Sequence, residues 1–125
     1  MSERLDVVGI GNAMVDAIIP SNKEEIEKHQ INRDSMNLID EELKNKLHQN
    51  YKIKEMAGGG SLGNSMFGIT SFGGNGSFIG KIKNDEIGVF LQKDMVREGL
   101  KFPLGFTSPD ISTGCCTIFV EEDGT

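Results

Sequence analysis

The spacing of apolar positions divides the chain into short strands and amphipathic helices. Leu5-Asp6-Val7-Val8-Gly9-Ile10 is an apolar run of the kind that sits inside an α/β sheet. Ser21-Asn22-Lys23-Glu24 reads as a capping box that opens a short helix through Glu25, Ile26 and Lys28. Ser35-Met36-Asn37-Leu38-Ile39 alternates and predicts a strand. Asp40-Glu41-Glu42 then places acidic residues where a helix dipole favours them, with Leu43 and Leu47 as the apolar stripe. Leu62, Met66 and Ile69 recur at i, i+4 and i+7, which predicts a helix behind Gly58, Gly59 and Gly60. Gly76 to Ile82 reads as a strand. A helix from about Asp85 to Glu98 follows, with Ile87, Phe90, Leu91 and Met95 on one face and Gly99 at its C-terminal cap. Pro103 and Pro109 bracket a loop. Cys116 to Val120 is a β-branched and aromatic strand, and Glu121-Glu122-Asp123-Gly124 a hairpin turn. Strands and helices in this alternation predict an α/β fold with parallel pairing and right-handed crossovers.

The glycines carry the candidate chemistry. Without Cβ atoms they let the backbone approach a ligand closely, and a helix N-terminus just behind them leaves N–H groups unpaired. Ser61 and Asn64 add short polar side chains on the first turn. The segment suits the gripping of oxygen atoms. Gly58-x-Gly60-x-x-Gly63, with Asp85 at a suitable distance, also matches the dinucleotide fingerprint. However, the preceding run, Tyr51 to Glu55, alternates, whereas a central parallel strand is usually apolar throughout. A P-loop fails outright, since Gly80-Lys81 is followed by Ile82. Asn12 and Asp16 follow the first strand at its carboxyl end, where open α/β sheets bind ligands. On residues alone, Asp16 is equally a turn or cap residue.

Composition narrows the partners. A net charge of −6 argues against a nucleic-acid partner, because phosphate binding wants a basic surface. No apolar run approaches the roughly 20 residues of a membrane span. The start, MSERLDVVGIG, lacks a basic region followed by a long apolar one, so no secretory signal is read and a cytoplasmic location is expected. Cys115 and Cys116 are adjacent, with no metal-ligand spacing to His29 or His48, and read as strand residues; no metal site is assigned. With 125 residues there is room for a modest core, and a strand and turn ending at Thr125 suggest the front part of a longer protein.

Gly59-Gly60-Ser61-Leu62-Gly63-Asn64-Ser65 resembles the Gly-Gly-Ser-x-x-Asn-Ser motif of the PfkB or ribokinase-like carbohydrate and nucleoside kinases. The resemblance continues through Ser71-Phe72-Gly73-Gly74, Phe78-Ile79-Gly80-Lys81 and Asn84-Asp85-Glu86-Ile87-Gly88. Gly11-Asn12 with Asp16 four residues later, and Ser35 to Asp40, resemble adenosine-kinase-like members. The resemblance implies a three-layer α/β/α fold with a mostly parallel sheet and a small β-strand lid. Lid segments are expected at about 17–39 and 111–125, with residues 1–125 forming the N-terminal part of one such domain. It implies transfer of the ATP γ-phosphoryl group, with Mg2+, to a hydroxyl of a small-molecule sugar or nucleoside. Asp16 would bind a sugar diol, Gly59 and Gly60 would approach through backbone groups, and Asn64 would supply an amide, with Asn12 nearby. Met36 and Leu38 could line a slot for a purine. Family lids often serve as homodimer interfaces. The family's catalytic base and anion hole lie in a Gly-Ala-Gly-Asp motif absent here, so no catalytic residue is assigned and the 125 residues are expected to be inactive alone. Leu62 stands where many relatives carry a smaller residue, and Cys115 where many carry a basic residue nearby. A dinucleotide-binding oxidoreductase piece and a non-catalytic sugar-binding module are the alternatives.

Overall fold

A computed structural model describes residues 4–125; Met1, Ser2 and Glu3, at the head of the stretch read for a secretory signal, lie outside them. The elements run β1 (Val7–Ile10), β2 (Met14–Pro20), α1 (Lys23–Lys28), α2 (Glu41–Asn50), β3 (Glu55–Gly59), α3 (Ser61–Ser71), β4 (Gly76–Ile79), α4 (Glu86–Arg97) and β5 (Gly114–Val120). Strands β1 and β4 form one sheet, and β3, β2 and β5, in that order, another. The chain divides into two units. One holds residues 4–15 with Ala57–Cys115, and the other Asp16–Met56 with Cys116–Thr125.

In the first unit β1 pairs parallel with β4, Val7 opposite Gly76 and Ile10 opposite Ile79. Helix α3 lies against this pair because glycines leave room for it. A Cβ on Gly9 would stand 2.9 Å from the Met66 sulfur, and one on Gly76 2.9 Å from the Met66 methyl. Lys101 takes the other edge of β4, its carbonyl accepting from Phe78 N–H at 2.8 Å. Met66, Phe78, Ile82, Ile87, Leu91, Met95 and Leu100 are buried, and Phe78 meets Phe102 edge-on at 6.1 Å. Helix α4 starts on Asp85, whose side chain accepts from Gly88 N–H, and stops on Gly99 in the left-handed region (φ 88°).

One expectation about this unit changes. The β1 run reads as an interior strand, yet Val8 is 50% and Ile10 76% exposed. Alternation is the reason: Gly9 turns toward α3, and Val8 and Ile10 turn away from it, onto a face that no described helix covers.

In the second unit Ala17, Ile19, Ile26 and Leu47 are buried, and Tyr51 sits edge-on to Phe119 at 5.6 Å. Tyr51 donates to Glu25 and lies 2.8 Å from His29 Nε2, joining α1 to the end of α2. The Glu25 hydrogen bond, with burial and the carboxylate charge behind it, raises the Tyr51 phenol above its ordinary range. Helix α2 is capped by Asp40, as its acidic start suggests. Helix α1 is capped by Asn22 rather than Ser21, the Asn22 side chain accepting from Glu25 N–H at 2.9 Å.

Residues Ser35 to Ile39 form no strand. The Asn37 side chain accepts from Asn32 N–H at 3.3 Å and donates to the carbonyls of Asn32 and Ser35, both at 3.2 Å. Such local bonds satisfy the backbone in place of a ladder. A fork from Arg33 to both Glu121 carboxylate oxygens, at 2.6 and 2.8 Å, ties the loop to the end of β5. The expected turn beyond β5 is present, with Gly124 N–H donating to the Glu121 carbonyl at 2.9 Å.

Candidate functional site

The end of β3 and the start of α3 make a turn that only glycine fits comfortably. Gly60 is the N-cap residue at φ 81° and ψ 152°, a conformation that side chains with a Cβ rarely adopt. Gly58 is fixed by space instead, since a Cβ there would lie 2.8 and 2.9 Å from Phe67 ring carbons. Gly59, between them, is buried. Helix α3 begins with no side-chain cap, and its first intrahelical bond runs from Asn64 N–H to the Gly60 carbonyl at 2.9 Å. Its first-turn N–H groups thus form a positive end with no acceptor from a capping side chain.

Asn12 comes beside this turn. Its carbonyl oxygen lies 3.7 Å from the position a Gly60 Cβ would occupy, and Met14 Cβ lies 3.6 Å from it. The Asn64 side chain is exposed on the first turn of α3. Asn12, Gly59, Gly60 and Asn64 are therefore neighbours within the first unit. Leu62 is accommodated by glycine: a Cβ on Gly11 would fall 2.6 Å from a Leu62 methyl.

Asp16 belongs to the second unit. It lies inside β2, on the half-buried face with Met14 and Ile18, while Val15, Ala17 and Ile19 occupy the buried face. This overturns the alternative of a turn or cap residue, because a mid-strand carboxylate has no helix end or turn to serve. Among the described residues no hydrogen bond or ion pair engages its side chain. Its electrostatic neighbour is Cys116 on the adjoining strand β5, whose thiol is pushed up first by burial and then by the Asp16 charge. Met36 and Leu38, read as lining a purine slot, are 85% and 94% exposed.

Two acidic residues have roles that the sequence reading missed. Asp85 accepts from Gly88 N–H at 2.7 Å, from Thr113 N–H at 3.1 Å and from the Thr113 hydroxyl at 2.8 Å. Its carboxylate is engaged in holding the root of β5, and β3 is not paired with β4, so the βαβ context of a dinucleotide site is not formed. Asp94, only 8% exposed on α4, accepts from Gly58 N–H at 3.3 Å and pairs with Arg97. No spacing rule points from residue 94 to residue 58; the only signal was an acid set within the apolar face of α4, at helical spacing from Ile87, Phe90 and Leu91.

Among the described residues no group of three or more His, Cys, Asp or Glu side chains could hold a metal ion. No described helix is long and apolar enough to cross a membrane. Neither cysteine is in a disulfide.

No family model matches the chain, and no curated protein matches it. Solved structures do. Adenosine kinase from Sinorhizobium meliloti is 32% identical with a TM-score of 0.78, over 97% of this chain and 37% of that one. A probable sugar kinase from Rhizobium etli CFN 42 is 33% identical with a TM-score of 0.75, over 96% of this chain and 36% of that one. A putative ribokinase from Agrobacterium tumefaciens shares the fold at 16% identity and a TM-score of 0.60, over 95% of this chain and 33% of that one. The chain thus spans little more than a third of the length of these proteins.

Proposed function

We propose that the chain is the acceptor-binding part of a PfkB-type kinase, because it has the ribokinase-like α/β fold and resembles an adenosine kinase and a probable sugar kinase over nearly its whole length. The observation that carries this reading is the uncapped start of α3 behind Gly59 and Gly60, with Asn12 and Asn64 beside it. In the reading, these backbone N–H groups and the Asn64 amide take oxygen atoms of a sugar or nucleoside. The Asp16 carboxylate, an acceptor-only group half-buried without a described hydrogen-bond partner, accepts hydrogen bonds from the two hydroxyls of a vicinal diol. The lid is assigned to the segments at about 17–39 and 111–125, and a homodimer would form through it.

The described residues do not fit a Mg2+ site, and no phosphoryl-transfer step is routed through them. Phosphoryl transfer depends mainly on positioning and charge stabilisation. This chain would supply the positioning of the acceptor, and ATP with Mg2+ would be held by polypeptide outside it, in the cytoplasm. Adenosine is the acceptor favoured by Asn12 with Asp16 and by the stretch Ser35 to Asp40.

The test is kinetic, on a longer kinase containing this chain, with adenosine, inosine, ribose and fructose as acceptors. Two hydrogen bonds to a charged group cost about 1.5–3 kcal/mol each when lost, so Asp16→Ala should raise the acceptor KM by about a hundredfold or more. The KM for ATP should stay within about twofold of the parent's. Normal acceptor binding with loss of ATP would refute the assignment. Turnover of fructose without adenosine would overturn the subgroup and leave the kinase reading intact.

A further inference from the structure

Among the described residues, the proposed mechanism leaves one buried ionisable side chain unused, Asp94. Burying a carboxylate is costly unless it is paired and hydrogen-bonded. Its helix partner does not explain the burial, because the Arg97 side chain is 69% exposed and an exposed i, i+3 pair is worth little. The other partner is informative. Oδ2 of Asp94 accepts from Gly58 N–H at 3.3 Å and lies 3.1 Å from where a Gly58 Cβ would stand, while the Phe67 ring closes the same position at 2.8 Å. Helices α3 and α4 thus clamp the residue just before Gly59 and Gly60, one through an aromatic ring and one through a carboxylate.

We propose that Asp94 is a positioning residue, which through Gly58 sets where Gly59, Gly60 and the first turn of α3 present their N–H groups to acceptor oxygens. The proposal rests on the acceptor-binding reading of that turn. Asp94 itself touches no acceptor. Its carboxylate fixes the end of β3, and the left-handed Gly60 then directs the chain into α3. An error of a fraction of an ångström at Gly58 is carried straight into the two following residues, because backbone N–H groups have no rotamer with which to compensate.

The experiment uses a 15N-labelled longer kinase containing this chain, with adenosine as probe. It reads the exchange rate of the Gly58 amide, the amide shifts of Gly59, Gly60 and Ser61, and the adenosine affinity. Asp94→Leu removes the acceptor at similar volume; Asp94→Asn keeps an acceptor oxygen; Arg97→Ala breaks only the helix pair. The expected result for Asp94→Leu is faster Gly58 exchange, displaced Gly59 to Ser61 shifts and adenosine binding weakened by about tenfold, the scale of one lost charge-assisted bond. Asp94→Asn should restore all three toward the parent, and Arg97→Ala should leave them unchanged. If Asp94→Leu does not fold, Asp94→Ala carries the same comparison. Parent-like exchange and shifts in Asp94→Leu, or an Asn variant as impaired as the Leu variant, would overturn the proposal. If the parent itself fails to bind adenosine, the acceptor reading falls, and the exchange and shift data still decide whether Asp94 holds the turn.

Discussion

Replacing Gly88 by alanine should be among the most damaging single-methyl changes in this protein. The added Cβ would lie 2.0 Å from the Lys83 carbonyl oxygen and 2.7 Å from the Thr113 hydroxyl, where approaches under 3.0 Å essentially never occur. The obstructing atoms are a backbone carbonyl and a threonine that is 2% exposed, so neither swings aside. Relief requires Lys83 to retreat by about 1 Å, which pulls on the bond from Lys83 N–H to Thr113 (3.0 Å) and on both Thr113 bonds to Asp85. Losing the Asp85 cap costs about 1 kcal/mol, and leaving Thr113 buried with impaired partners about 1–3 kcal/mol. The expected loss is therefore about 3 kcal/mol. Gly68→Ala, inside α3 with nothing within 4 Å of the new Cβ, is the control. It should gain about 0.5–1 kcal/mol, the ordinary advantage of alanine over glycine in a helix. Urea unfolding followed by circular dichroism, with midpoint and slope both compared, measures the pair. Asp85→Ala combined with Gly88→Ala should cost less than the sum of the two, because both dismantle one network. A Gly88→Ala variant within about 1 kcal/mol of the parent, or strictly additive behaviour with Asp85→Ala, would refute the reasoning.

Two further outcomes concern titrating groups. In a Cys115→Ser background, Cys116 should alkylate more slowly at pH 8 than an unhindered thiol. Asp16→Asn should speed it without fully restoring it, since burial is the larger cause and the carboxylate charge the smaller; an unchanged rate would show that Asp16 does not act on the thiol. Asp123 should titrate below its ordinary 3.8, held down first by the Thr125 hydroxyl, then by the Thr125 backbone N–H and, more weakly, by Arg33. A depressed folded value means that this contribution to stability is present above the unfolded pKa and lost as pH falls through the folded one. A carboxyl 13C titration should move upward in Thr125→Val, and an unmoved midpoint would contradict the assignment.

Much of the architecture was legible because it is local. The i, i+4, i+7 spacing of Leu62, Met66 and Ile69 marked α3, the acid run at Asp40 marked α2, and Gly99 marked the end of α4, each through interactions within one turn of chain. The same locality explains the near-misses. Asn22 and Ser21 are both good cap residues, and only backbone geometry chose Asn22. Ser35 to Ile39 has a strand's alternation, but Asn37 satisfies the backbone of Asn32 and Ser35 from nearby.

The candidate site divides along the same line. The glycines, Asn12 and Asn64 could be read from a motif, because a left-handed turn before a helix demands glycine wherever it occurs. What holds that motif could not be read. Asp94 is 36 residues from Gly58 along the chain, and Thr113 is 28 from Asp85. Those pairings exist only once helix α4 and the root of β5 are packed, since burial makes a carboxylate seek whichever N–H the fold brings to it. Val8 and Ile10 show the converse. Apolar content gave them a strand, but whether a strand is covered depends on what packs over it, and that is a property of the tertiary structure alone.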